Sequence, residues 1–117
     1  MCLTMLRQLY HPKRRIAGTK NDLRKQWLHK CLTECKTGQN RIPAQLTLLT
    51  IIGHKTGTGG KNSQRLYRGI NDIGFIEQPN DKPILIAIFC NESKMTVENT
   101  ESVIAKMAYY SVSKKHE

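Results

Sequence analysis

Acidic residues are scarce in this chain. Nine Asp and Glu stand against nineteen Lys and Arg, a formal net charge of +10 over 117 residues. The imbalance is local: 14 basic and 2 acidic residues lie up to Arg68, and 5 basic and 7 acidic lie beyond it. A basic half of this kind suits nucleic acid, an anionic surface or an anionic small molecule, or is simply a solvated face. Long apolar runs are also missing. None approaches the ~20 residues of a membrane-spanning helix, so no membrane span is expected. No basic, apolar, small-residue series opens the chain, so no signal peptide is visible, and the chain as it stands reads as cytoplasmic or of unknown location. Aromatics are few, with one Trp and two Phe. There is no RRM-like aromatic motif and no zinc-finger spacing, so nucleic-acid binding lacks its usual grammar and no nucleic-acid partner is expected. Composition excludes collagen, coiled coil and low-complexity disorder.

Cysteine is modest: Cys2, Cys31, Cys35 and Cys90. Cys31 and Cys35 are four apart on one face of a predicted helix, a poor geometry for a disulfide. With His29 nearby they match no Cys/His zinc framework. Free thiols are expected, two of them packed as small apolar residues, with neither a metal nor a cofactor.

What is present is enough for one small domain, residues 1–117, with no internal boundary or repeat. Leu3, Leu6 and Leu9 predict a helix stopped by Pro12, and residues 12–20 read as a basic loop. Asn21 or Asp22 is a candidate cap for a second helix. Its apolar stripe is Leu23, Trp27, Leu28, Cys31, Leu32 and Cys35, with Trp27 in the core and Gly38 where the helix ends. Residues 46–52 are apolar and β-branched and predict a strand, which runs through a glycine-rich, polar connection. Residues 70–76 and 84–89 predict two more strands around a Gln78–Asp81 turn, the last buried on both faces. Thr96 would cap a terminal helix with Val103, Ile104, Met107 and Ala108 on one face and Thr100 and Ser111 extending it. Three strands with short connections read as an antiparallel meander. Helices packed on one face of it make the fold class α+β.

The stretch that carries chemistry is Ile51-Ile52-Gly53-His54-Lys55-Thr56-Gly57-Thr58-Gly59. Side chains alternate along a strand, so Lys55 lies opposite both Thr56 and Thr58. Lys55 brings a positive charge, Thr56 and Thr58 bring hydroxyls, and an unpaired N–H near Thr58 would meet an oxyanion. Together they suit a small anionic acyl substrate, although a basic strand end would read the same way.

In context, His-Lys-Thr-Gly-Thr-Gly after an apolar strand resembles the Lys-Thr-Gly element of class A serine β-lactamases. Four other stretches agree in order. Thr37-Gly38-Gln39-Asn40-Arg41-Ile42-Pro43 resembles the segment closing the long helix before that strand. Asn71-Asp72-Ile73-Gly74-Phe75-Ile76 resembles the strand after it. Pro79-Asn80-Asp81 sits at the hairpin, and Ile86-Ala87-Ile88-Phe89 resembles the last strand. Glu34-Cys35-Lys36-Thr37-Gly38 leans toward the extended-spectrum branch. Penicillin-binding transpeptidases share Lys-Thr-Gly and are the nearest competing family.

The resemblance implies the carboxy-terminal part of the β-lactamase/transpeptidase-like fold. It also implies β-lactam ring hydrolysis, hence antibiotic resistance, in a complete enzyme that is periplasmic or secreted. Lys55 would hold the substrate carboxylate and Thr56 would donate to it. Thr58 would contact the substrate and give its backbone N–H as half of the oxyanion hole. Gly57 and Gly59 would let the substrate lie against the strand edge. The family's supporting arginine falls at Ile70 in one branch, with Arg68 two residues away, and at Arg41 in the other; Arg41 is favoured for a substrate-binding role. The family's nucleophile comes from a Ser-x-x-Lys helix start, assisted by a Ser-Asp-Asn loop and a loop glutamate. None precedes Lys-Thr-Gly here. Ser111-Val112-Ser113-Lys114 lies after it, in the wrong order. The chain is therefore expected to be a fragment, inactive alone, of marginal stability, with an open edge beyond the last strand and the rest of the same fold as its partner. Two other readings share the residues: a non-catalytic module binding β-lactams or peptidoglycan-like carboxylates, and a basic nucleic-acid binder.

Overall fold

A computed structural model describes residues 20–114. The helix expected around Leu3–Leu9, the loop after Pro12 and the thiol of Cys2 lie outside the described residues. The elements run α1 (Lys20–Thr33), a 3₁₀ turn (Ile42–Gln45), β1 (Ile51–Thr58), β2 (Ile70–Glu77), β3 (Ile84–Cys90) and α2 (Val97–Ser113). The strands form one antiparallel sheet in the order β1-β2-β3. Thr58 stands opposite Ile70 and Ile51 opposite Glu77 across the first pair, and Ile70 opposite Cys90 across the second.

Strand alternation divides the core in two. On one face Ile70, Ile76, Ile86 and Ile88 meet Ile42 of the 3₁₀ turn and Ile104 and Ala108 of α2. On the other, Phe75 packs with Leu32 of α1, flanked by Leu28 and Leu85. The helices thus lie on opposite faces of the sheet, not on one. The reason is legible in β2, where residues facing both ways are buried: a central strand with two apolar faces needs two covers.

Helix α2 begins at its predicted cap, with the Thr96 hydroxyl accepting the Asn99 N–H at 3.2 Å. Glu98 in its first turn complements the helix dipole. Its buried stripe is Thr100, Ile104, Ala105 and Ala108, while Val103 and Met107 are exposed on a flank. Helix α1 departs further from expectation. Asn21 and Asp22 lie inside its first turn, not before it, and it ends at Thr33, well short of Gly38. The Thr33 hydroxyl bonds back to the carbonyls of His29 and Lys30 at 3.0 and 3.1 Å, which suits a helix end. Trp27, expected in the core, is 68% exposed, and Leu23 and Cys31 are exposed as well. Only Leu28 and Leu32 of the stripe reach the sheet cluster. His29 helps attach the helix by stacking on Phe75 at 4.9 Å and meeting Glu77 at 3.3 Å.

Strand β1 begins at Ile51, five residues later than residues 46–52 suggested. A turn takes up that stretch, with Thr50 N–H donating to the Thr47 carbonyl at 3.0 Å and Leu48 and Leu49 exposed. The glycine-rich connection is also more regular than expected. Gly59 N–H donates to Gly69 O and Arg68 N–H to Gly60 O, prolonging the hairpin. At its tip the Asn62 side chain accepts the N–H groups of Gln64 and Leu66. The Gln78–Asp81 turn forms as predicted. In β3, Ile86 and Ile88 are buried while Phe89 is exposed, so that strand is covered less evenly than its sequence suggested. Its outer edge has no strand partner among the described residues.

Candidate functional site

Among the described residues the outer edge of β1 has no strand partner, and α1 packs against the strand. In an antiparallel pair, residues alternate between pointing their backbone groups at the partner and away from it. Gly59 donates inward, to Gly69. The register then turns the backbone N–H groups of Thr58 and Thr56, one and three residues earlier, outward. Thr58 therefore presents a free-edge N–H where an oxyanion donor was expected.

The side chains add to that edge. Lys55 leaves the α1 side of the strand, is exposed, and donates from Nζ to the carbonyl of Thr56 at 2.8 Å. Thr56 leaves the other side, and its hydroxyl shares a hydrogen bond of 2.8 Å with that of Thr37. Gly38 makes this approach possible: it takes a left-handed φ of 65°, and a Cβ there would overlap the Thr56 methyl. Beside Gly57 there is open space, with no atom within 4 Å of where a Cβ would stand. Gly59 lies just past the strand end, against Arg68 and Gly69.

Arg41 sits behind the edge and is 4% exposed. Its Nε donates to Glu101 at 3.1 Å and its Nη1 to the carbonyls of Asn71 at 2.8 Å and Gly57 at 3.3 Å. Its Nη2 donates to the Thr58 hydroxyl at 2.6 Å. An arginine can only donate, so the Thr58 oxygen accepts and its own proton remains available to another acceptor. The guanidinium acts on Thr58 and the backbone, and the exposed cation of the edge is Lys55. Arg68 is exposed on the adjoining hairpin.

Four residues beside this edge went unremarked individually in the sequence: Glu101, which neutralises Arg41, Thr37, and the buried pair His54 and Asp72, 3.0 Å apart. Asp72 had a readable signal, because alternation from Ile70 to Ile76 puts it on an apolar face where a carboxylate needs a partner. Glu101 is sixty residues from Arg41, and nothing local links them. Among the described residues no group of three His, Cys, Asp or Glu could hold a metal ion, and no helix is long and apolar enough to cross a membrane.

A sequence profile of the β-lactamase enzyme family matches residues 2–111, and the chain belongs to that family. It is similar to β-lactamase VEB-1 of Pseudomonas aeruginosa, 36% identical over 104 residues, covering 89% of this chain and 33% of the relative. It is also similar to the extended-spectrum β-lactamase PER-1 of Pseudomonas aeruginosa, 35% identical over 81 residues, covering 69% of this chain and 26% of the relative. Its fold superimposes on the TLA-3 extended-spectrum β-lactamase with a TM-score of 0.83 at 26% identity, over 99% of this chain and 40% of the other. A class A β-lactamase from Bacteroides cellulosilyticus matches with a TM-score of 0.77 at 29% identity, over 92% and 37%. The class A resemblance and the α+β fold class are thereby established. The chain spans about a third of the length of the curated relatives it matches.

Proposed function

We propose that this chain supplies the substrate-holding strand of a class A β-lactamase site, for β-lactam hydrolysis in an assembly that also contains the nucleophile. The observation that carries the reading is the β1 edge, where Lys55 Nζ, the Thr56 and Thr58 hydroxyls and the outward Thr58 N–H lie within four consecutive residues. The Lys55 ammonium and Thr56 hydroxyl would bind the β-lactam carboxylate. The Thr58 N–H would donate to the oxyanion that forms when the ring carbonyl is attacked. Gly57, with open space beside it, would let the substrate backbone lie along the strand, and Gly59 would keep the exit from that edge clear. Arg41 would hold the Thr58 hydroxyl in place from behind.

Acyl transfer needs a nucleophile and a base, and neither family element precedes Lys55 in these 117 residues. The chain alone would therefore bind without turning over. Calorimetric titration with benzylpenicillin tests this. A saturable heat in the millimolar range that is lost in Lys55→Ala, with no hydrolysis of a chromogenic cephalosporin, is expected. No heat at millimolar ligand would remove the binding half of the reading. Turnover comparable to an intact enzyme would contradict the other half.

A further inference from the structure

The carboxylate of Asp72 is 0% exposed and lies on the β2 face that carries Ile70 and Ile76. An ionisable group among isoleucines is expensive unless its oxygens are bonded. Both are. His54 Nδ1 lies 3.0 Å from Oδ1 and 3.0 Å from Oδ2, and the Ile42 N–H donates to Oδ2 at 3.1 Å. The partners are the neighbours of two site residues. His54 immediately precedes Lys55 on β1, and Ile42 immediately follows Arg41. Arg41 in turn holds the Gly57 carbonyl and the Thr58 hydroxyl.

We infer that Asp72 is a positioning residue of this site: through His54 it fixes the strand carrying Lys55 and Thr58, and through the Ile42 N–H it fixes the segment carrying Arg41. The inference rests on the reading of the β1 edge as the site of β-lactam binding. A carboxylate only accepts, so the proton of the His54 ring sits on Nδ1. This agrees with the environment of Nε2, which is buried with no hydrogen-bond partner among the described residues. On Nε2 a proton would be a buried donor with nothing to receive it. One buried acceptor thus takes donors from two separate chain segments, and both segments end on the same strand edge. Sites held by such supports lose function when the support loosens by fractions of an ångström.

Nuclear magnetic resonance on the full 117-residue chain tests the inference. In the wild type, His54 should show a protonated, slowly exchanging Nδ1 and a bare Nε2. In Asp72→Asn a single amide oxygen must serve two donors. There the inward amides of Lys55 and Gly57 should exchange at least tenfold faster, with those of Ile104 and Ala108 unchanged within twofold. His54→Leu should reproduce this local loss. His54→Asn, whose amide N–H falls near the position of Nδ1, should restore protection to within threefold of wild type. Equal acceleration in α2 and β1, or no acceleration in either, would overturn the inference, because Asp72 would then be a core contact and nothing more. If Asp72→Asn does not fold, the His54 pair and the wild-type ring decide: an Nε2-protonated or rapidly exchanging His54 overturns the inference on its own. Benzylpenicillin shifts at Lys55–Gly59 are recorded on the same wild-type sample. Their absence would remove the binding reading without altering the exchange pattern, so the two failures are distinguishable.

Discussion

The two faces of the sheet are built to different depths. Under α2 lies a continuous core of isoleucines from the 3₁₀ turn, the sheet and the helix, with Ile42, Ile70, Ile76 and Ile104 fully buried. Under α1 the fully buried residue is Phe75, joined by Leu32, and the helix leaves Leu23 and Trp27 in solvent. The polar machinery follows the same division. The Arg41–Glu101 pair and the His54–Asp72 pair join the 3₁₀ segment, the strands and α2, whereas α1 holds the sheet with a half-exposed His29–Glu77 contact. Among the described residues the α2 face thus carries the larger core and holds the segments behind the β1 edge, and the α1 face contributes a thinner cover. Burial converts to stability roughly in proportion to apolar area, at about 25 cal/mol per Å², so equal-looking substitutions on the two faces should have unequal costs.

The largest effect should come from Glu101→Ala, which leaves the Arg41 guanidinium buried without its carboxylate. Breaking such a pair costs about 3–5 kcal/mol, and denaturant unfolding should register it as loss of most of the stability. Ile104→Ala comes next, at about 3 kcal/mol for the lost methylenes and the cavity, read as a lowered midpoint at unchanged slope. Thr96→Ala removes the cap of α2 and should cost about 1 kcal/mol. Trp27→Ala, on the thin face, should change stability by less than about 0.5 kcal/mol despite removing the largest side chain in the sequence. A Trp27 loss equal to that of Ile104 would break the comparison between faces. A Glu101 loss no larger than that of Thr96 would move the anchoring of Arg41 elsewhere.

Much of this was legible in sequence. The second and third strands, the turn between them and the Thr96 cap follow from alternation and turn chemistry, because each is decided by residues near one another in the chain. Lys55–Gly59 stood out because its chemistry is contiguous, and the structure places it at the end of the outer strand β1 and one residue past it. Trp27 misled because helical spacing marks an apolar stripe without saying how much of it a small sheet can cover. The start of β1 was misplaced because Leu48 and Leu49 look like strand residues, while the Thr47–Thr50 hydrogen bonds that turn the chain there depend on geometry. The surroundings of Arg41 were not visible. The resemblance marked it for a substrate-binding role, while its burial against Glu101, Asn71 and Thr58 depends on contacts up to sixty residues apart.

The central claim is that the β1 edge receives the β-lactam carboxylate, and a residue-resolved titration of the chain with benzylpenicillin addresses it most directly. Saturable shifts of the Lys55, Thr56, Thr58 and Gly59 amides are expected, the largest at Thr58, weakened at least tenfold in Lys55→Ala and leaving α1 unmoved. Shifts centred on the exposed α1 residues Leu23 and Trp27, or an unchanged response in Lys55→Ala, would contradict it.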